Sequence, residues 1–342
     1  MPKNRDFELT RRHLLMAGAA GLLAGGLPRP LFAQETAGIT TAFGWISNVE
    51  YAGFWAALDQ GYFTEEGLDA PYLAGGPNAP DVLVSLASDA AQLAFANWMP
   101  LLDAIGKGND FQILGSAWAK SPSGLLSLAA NPVRTPQDLV GKRILAQNPS
   151  DTSIFDAVLA KAGLPLDYEV IPTGFSPEPL LAGDGDVYLC FATNQPITLE
   201  NMGMVQDQDF IVTLFDDIGY VVKAGLMVAK KDYVAENRET LVKYTRAMIK
   251  GWEYAFADPA YAAQIVVDNY GADLGLDLAQ QTRQMELQIP LMKPAPDYKL
   301  YLFDPADITG NMTEAAQAAG RTVPPVADLV DFSIAEEAYA TL

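Results

Sequence analysis

An alternation along the first half of this chain constrains its fold more than any other feature. Short apolar, strand-like runs at residues 39–43, 68–73, 92–96 and 111–116 are separated by segments of helical period at 51–60, 80–88 and 100–106. Such a succession predicts an α/β protein with a parallel, doubly wound sheet. A second set follows, with an extended crossing at 125–130, a helix start at Thr135-Pro136-Gln137-Asp138, strands at 142–146, 169–171 and 186–191, and helices at 153–162 and 177–182. A strand at 225–229 brings the chain back. After Tyr233 the pattern is helical, notably at 238–257 and 277–288, with a less regular tail from Lys293. Two strand sets joined by two crossings predict two lobes with a cleft between them: lobe 1 from 38 to 125, lobe 2 from 126 to 224, and a return to lobe 1 with C-terminal helices from 225 to 342. With half of its 342 residues apolar, the chain is long enough to bury two such cores.

The N-terminal segment reads differently. Arg11 and Arg12 stand before an apolar run, Leu14 to Leu27, that is short and rich in Gly and Ala, and Ala33 makes a suitable last residue before cleavage. Residues 1–33 are therefore expected to be a twin-arginine export signal rather than a membrane anchor, with a periplasmic product beginning near Gln34. The only cysteine, Cys190, lies far beyond the run, so neither a lipid anchor nor a disulfide framework is expected. Cleavage would remove five bases and two acids, taking the formal charge from −20 to −23, which argues against nucleic acid as a partner. It would also remove His13, the only histidine, and with it histidine nucleophile pairs, bases and metal sites. No paired-carboxylate motif replaces them, and Asp184-Gly185-Asp186 reads as a turn entering a strand rather than a calcium loop. No cofactor, no metal and no covalent chemistry are expected.

Within lobe 1 the run GWISNVEYAGFWAALDQGYFTEEGLD, residues 44–69, reads as one wall of a ligand cleft. Ser47 and Glu50 have capping-box spacing, Tyr51, Phe54, Trp55 and Leu58 recur at helical period, and Gly61 suits the position just past a helix end. Trp45 falls at the strand-to-helix corner, where ligands of open α/β sheets collect. Four of the five tryptophans, Trp45, Trp55, Trp98 and Trp118, lie in lobe 1 and suggest a stacking surface; Trp55 is assigned to the core, Trp45 and Trp118 to the cleft. Tyr51 joins them as a candidate ligand contact. Polar candidates are Asn48, Asn97, Ser121 and Ser123 from lobe 1 and Glu178, Asp186, Tyr188 and Asn194 from lobe 2. Several have local alternatives: Asn48 as a helix start, Ser121 and Ser123 as shapers of a turn, Asp186 as the brace of its strand, Asn194 as an N-cap. Glu178 is singled out because a carboxylate accepts hydrogen bonds from a ring amino group. Cys190 reads as an inert buried residue. These loops hold Glu50, Glu178 and Asp186 but one base, Lys120, which favours a neutral or weakly cationic ligand. The helix start at residues 150–153 keeps an anion open as the alternative, with Asp151 opposing it.

The blocks GFWAALDQGYFTEEGLDA, AGGPNAPDVLVSLASDAAQLAFAN, TPQDLVGKRI and PEPLLAGDGDVYLCFATNQP, spread over most of residues 38–230, resemble those of the solute-binding proteins of ABC importers for thiamine-precursor pyrimidines, with riboflavin, nitrate, sulfonate and taurine binders as relatives. The resemblance implies a type II periplasmic binding protein fold, a small-molecule ligand, an ABC permease of the inner membrane as partner, and a monomer. Its first choice of ligand is a thiamine-precursor pyrimidine, with riboflavin or another ring vitamin next; an alkylsulfonate, taurine or nitrate is the alternative, followed by a ligand-sensing subunit. Pyrimidine synthases of the same superfamily consume an active-site histidine and carry a CCCFC motif. This chain lacks that motif, and His13 falls in the expected signal, so a synthase, the rival reading from another class, is disfavoured.

Overall fold

The computed structural model describes residues 37–76, 79–147 and 151–342. The export-signal reading of residues 1–33, and Ser150 of the helix start at 150–153, lie outside them.

Two five-stranded sheets carry the fold. The first has the spatial order Tyr72–Leu73, Thr41–Ala42, Leu93–Ala96, Ala224–Lys230, Phe111–Trp118, and the second Phe210–Leu214, Ser123–Leu128, Val187–Phe191, Lys142–Ala146, Tyr168–Pro172. The chain passes from the first sheet to the second between Trp118 and Ser123 and back between Leu214 and Ala224. Both sheets are mixed. Thr41–Ala42 runs parallel to both of its neighbours, but Ala224–Lys230 runs antiparallel to Leu93–Ala96 and to Phe111–Trp118. The consecutive parallel series read from periodicity is corrected here, because a strand from far along the chain inserts into it. Local pattern carries strand identity and not strand order. The strand Phe210–Leu214 has no counterpart in the sequence reading, and the helix Gln195–Asn201 starts where Asn194 stands as the N-cap alternative.

The expected strand at 68–73 is split. Leu68–Asp69 pairs with Ala37–Gly38, while Tyr72–Leu73 pairs with Thr41–Ala42. Pro71 stands between them with no N–H for a ladder, and its carbonyl accepts from Thr41 N–H at 3.0 Å.

The first helix also starts differently from its capping-box reading. Asn48 is the cap: its Oδ1 accepts from Glu50 N–H at 2.9 Å, and its carbonyl accepts from Trp55 Nε1 at 2.8 Å. A 3-10 turn, Val49–Tyr51, precedes the α-helix Ala52–Asp59, and Gly61 follows with φ +75°, a left-handed conformation that suits glycine. With Asn48 as the cap, the Glu50 carboxyl is released from a capping role.

Packing against this helix is close. The long helix Arg238–Ala257 crosses it so tightly that a Cβ on Gly251 would stand 2.0 Å from the Gly53 carbonyl oxygen. Phe43, at the end of its strand, is the centre of an aromatic cluster with Tyr51, Phe54, Trp55 and Phe95 at centroid distances of 4.2, 4.9, 5.5 and 5.7 Å. Trp55 is fully buried and stacks on Tyr270 at 4.9 Å, in keeping with its core assignment. Among the described residues, no helix is long and apolar enough to cross a membrane.

Candidate functional site

A cavity of about 180 Å3 lies between the two sheets. Its first-lobe wall is made by Gly44, Trp45, Glu50, Tyr51, Phe95, Asn97 and Trp118, with Met248 and Trp252 reaching in from the long helix. The second lobe contributes Gln147, Asp151, Phe175, Asn194 and Gln195, together with Ser123, which was expected in lobe 1 but begins the second-sheet strand Ser123–Leu128. Space of this size holds on the order of ten water-sized groups. No lysine or arginine is among the described residues that line it.

Six of the sequence candidates meet here: Trp45, Tyr51, Asn97, Trp118, Ser123 and Asn194. Trp45, half-buried, meets Phe175 of the opposite lobe edge to face, with ring centroids 4.1 Å apart and planes at 72°. Trp118 lies over Gly225, whose φ of +57° and missing side chain make the room; a Cβ there would stand 2.8 Å from the indole. Asn97 and Asn194 each occupy the position before a helix, Trp98–Gly106 and Gln195–Asn201, and neither side chain makes a capping hydrogen bond. Their amides keep that capacity for the cavity.

The other five stand elsewhere, for identifiable reasons. Asn48 is 1% exposed and spends its side chain on the cap. The buried Ser121 Oγ accepts from Ser123 N–H at 3.3 Å and shapes the turn. Glu178 is exposed at the first position of the helix Glu178–Ala182 and does not line the cavity. The Asp186 carboxylate accepts from the Arg143 backbone N–H at 2.9 Å and from its guanidinium at 3.1 and 3.2 Å, which holds its carboxyl below the usual range and ties two neighbouring strands. Tyr188 is fully buried, donates to the Gly174 carbonyl at 3.0 Å, and packs with the second-lobe core. Cys190 is buried as expected, with its thiol pushed up by burial, yet it too faces the cavity wall. Trp98 is not at the cleft; its indole donates to the Met312 carbonyl at 2.9 Å.

Sequence reasoning missed Glu50 as a site residue, together with Gln147, Phe175, Gln195 and Trp252. Trp252 sits at a regular position of a long amphipathic helix and gave no local signal; its ring presses on Gly53, where a Cβ would come within 2.3 Å, and Nε1 donates to Tyr301 Oη at 3.1 Å. Glu50 was read as half of a capping box. Burial pushes its carboxyl from 4.5 up to about 7, a hydrogen bond with Tyr51 opposing the rise. The same burial, with the Glu50 charge beside it, drives the Tyr51 hydroxyl well above its ordinary value. The second-lobe amides are tied to strand ends: Gln195 Oε1 accepts from Phe191 N–H at 2.8 Å, and Gln147 Nε2 donates to the Leu189 carbonyl at 3.0 Å.

Comparison with known proteins agrees with this architecture. The chain is 24% identical over 257 residues to the formylaminopyrimidine-binding protein of Halalkalibacterium halodurans, covering 73% of this chain and 75% of that one. It is 25% identical over 260 residues to the riboflavin-binding protein RibY of Chloroflexus aurantiacus, covering 74% and 72%. A 4-amino-5-hydroxymethyl-2-methylpyrimidine phosphate synthase of Aspergillus parasiticus is 25% identical over 69% of this chain and 71% of its own. Among solved structures, a Bordetella bronchiseptica protein superposes with a TM-score of 0.68 at 20% identity, covering 90% of this chain and 98% of that one. The periplasmic aliphatic sulphonate binding protein SsuA of Escherichia coli superposes with a TM-score of 0.58 at 14% identity, covering 83% and 85%. The fold is thus the two-lobed α/β architecture of type II periplasmic binding proteins, with its cleft between the lobes. The family model described as NMT1/THI5 like matches residues 48–262, from the cap of the first helix into the C-terminal helices, and the chain belongs to that family.

Proposed function

We propose that this protein is the periplasmic substrate-binding component of an ABC importer, exported by the paired-arginine signal at residues 1–33, and that it takes up a small neutral or weakly cationic heteroaromatic compound, a thiamine-precursor pyrimidine in the first instance. The observation that carries the reading is the cavity wall: Trp45, Phe95, Trp118, Phe175 and Trp252 surround it, and no Lys or Arg lines its described part. Flat rings gain from aromatic neighbours beyond their burial, whereas a sulfonate or nitrate needs cationic forks or free amide clusters. The formylaminopyrimidine-binding relative supports the same ligand class.

In this reading the two lobes close over the ring and shift an open–closed equilibrium by their differential affinity, with no covalent chemistry. The single histidine at position 13 and the single cysteine, buried and with its thiol pushed up, support binding over catalysis. Native mass spectrometry of the protein purified from its own periplasm should reveal a bound ring compound, and titration calorimetry should show binding of aminopyrimidines without turnover. Tight binding of taurine or nitrate with no pyrimidine binding overturns the ligand assignment; product formed above a no-protein control overturns the binding-protein reading.

A further inference from the structure

The Glu50 carboxyl is unusual among the acidic side chains of this chain. It opens onto the cavity, and among the described residues it has no cationic partner. The hydroxyl of Tyr51, on the same turn, is the neighbour that offsets part of the rise in its pKa. Most acidic groups elsewhere face solvent or an ion-pair partner, as Asp186 does with Arg143 and Glu66 with Arg246.

The turn that carries Glu50 is held by three amide side chains. Val49 N–H donates to Gln281 Oε1 at 3.1 Å, the Val49 carbonyl accepts from Gln288 Nε2 at 2.7 Å, and Glu50 N–H donates to Asn48 Oδ1 at 2.9 Å. Gln281 and Gln288 are 3% and 0% exposed, both on the helix Leu278–Met292. Burying polar side chains is costly unless each is bonded, so their use to fix a three-residue turn marks that turn as one whose side chains must be placed.

We propose that Glu50 is the specificity-determining residue of the cavity and that it reads a cyclic amidine edge, a ring nitrogen beside an exocyclic amino group. This rests on the ring-binding reading above and deepens it. A carboxyl and an amidine edge share one proton across two hydrogen bonds. Either the protonated carboxyl donates to the ring nitrogen while its other oxygen accepts from the amino group, or the carboxylate accepts from both N–H groups of the protonated ring. Burial brings the carboxyl to about 7, so both forms are accessible near neutrality. The other groups facing this corner leave the role to Glu50: the helix Leu278–Met292 presents the neutral Gln281, Gln284 and Gln288 as its buried polar side chains, the long helix presents Met248 and Trp252, and Asp151 and Cys190 belong to the opposite lobe. An anionic ligand offers no donor to a carboxylate and would be repelled by it.

The test is titration calorimetry of the exported protein with 4-aminopyrimidine, with aniline, which has the amino group but no ring acceptor, and with taurine. Wild type, Glu50→Gln and Glu50→Leu are compared after thermal melts establish that each is folded. Wild type should bind 4-aminopyrimidine at least about tenfold tighter than aniline, and Glu50→Leu should weaken 4-aminopyrimidine by about ten- to a hundredfold while changing aniline by less than about threefold. Glu50→Gln, which keeps an acceptor and a donor in the same shape, should fall between the two. If folded Glu50→Leu binds 4-aminopyrimidine as wild type does, the assignment of Glu50 falls while the ring-binding reading stands. If wild type binds neither ring compound but takes taurine, the ring-binding reading falls and this inference with it.

Discussion

The two walls of the cavity are built by different means. The first-lobe wall is anchored from behind: Phe43 gathers the rings of Tyr51, Phe54, Trp55, Tyr72 and Phe95, Trp55 is bonded to the Asn48 carbonyl, and buried glutamines grip the turn that carries Glu50 and Tyr51. The second-lobe wall is a set of strand ends and helix starts, whose Gln147 and Gln195 each make one backbone hydrogen bond and whose Asn194 makes no capping bond. Contacts between the lobes include the Trp45–Phe175 ring pair and an Arg283–Glu200 ion pair at 3.7 Å, and one buried apolar cluster holds residues of both sheets, Ala94 and Leu226 with Ile144 and Val187. The contrast separates two tasks. One wall fixes geometry by deep packing, and the other supplies polar capacity and a contact between lobes at low energetic cost.

The sharpest way to break that contrast is Trp55→Ala. Removing a fully buried indole beneath the first-lobe wall should cost about 3–5 kcal/mol of stability, read by urea denaturation. A loss below about 1 kcal/mol would show that the wall is not held from behind.

A somewhat smaller effect is expected from Glu50. Its carboxyl titrates at about 7 in the folded protein against 4.5 ordinarily, because burial disfavours the charge. A raised acid holds its proton more tightly in the folded than in the unfolded state. Its contribution is therefore complete below pH 4.5 and is lost as pH rises through about 7, amounting to about 2–3 kcal/mol between pH 5 and pH 8. Denaturation curves of wild type and Glu50→Gln at pH 5 and pH 8 should differ in pH dependence by that amount. Identical pH profiles would mean that the carboxyl is better solvated than its place in the wall implies.

The smallest effect belongs to the second lobe. Phe175 is half-buried and meets one ring across the cleft, so Phe175→Ala should cost about 1–2 kcal/mol from the lost aromatic pair and partial burial. Tryptophan fluorescence of Trp45 should respond to that substitution more than the melting temperature does. A loss as large as that of Trp55→Ala would erase the distinction between the walls.

Much of the local structure was legible because it rests on neighbours along the chain. The long helix Arg238–Ala257 appears with its expected bounds, and Gly61 ends its helix in the left-handed conformation. Thr135 and Asp138 form the expected helix start, with Asp138 accepting from Thr135 N–H at 2.9 Å. The candidate site was legible where a residue stands at or within three positions of a strand's carboxyl end, as Trp45, Asn97, Trp118 and Asn194 do. It was not legible where residue chemistry admits two partners. A carboxylate three residues after Ser47 reads as half of a capping box, and only the competing Asn48 cap leaves Glu50 for the cavity. Glu178 has the chemistry wanted of a ligand acceptor but sits on the exposed start of a short helix.

Strand and helix identity, the two crossings and the scarcity of basic and nucleophilic chemistry follow from the sequence alone, because they depend on periodicity and composition. Tertiary structure decided the rest. The returning strand Ala224–Lys230 inserts between Leu93–Ala96 and Phe111–Trp118, and with it Gly225 opens the space over which Trp118 lies. The helix Leu278–Met292 reaches back more than two hundred positions to clamp Val49. Which side of a turn a carboxyl faces, and what surrounds it, is set by such long-range contacts, and burial then decides whether that carboxyl carries its charge.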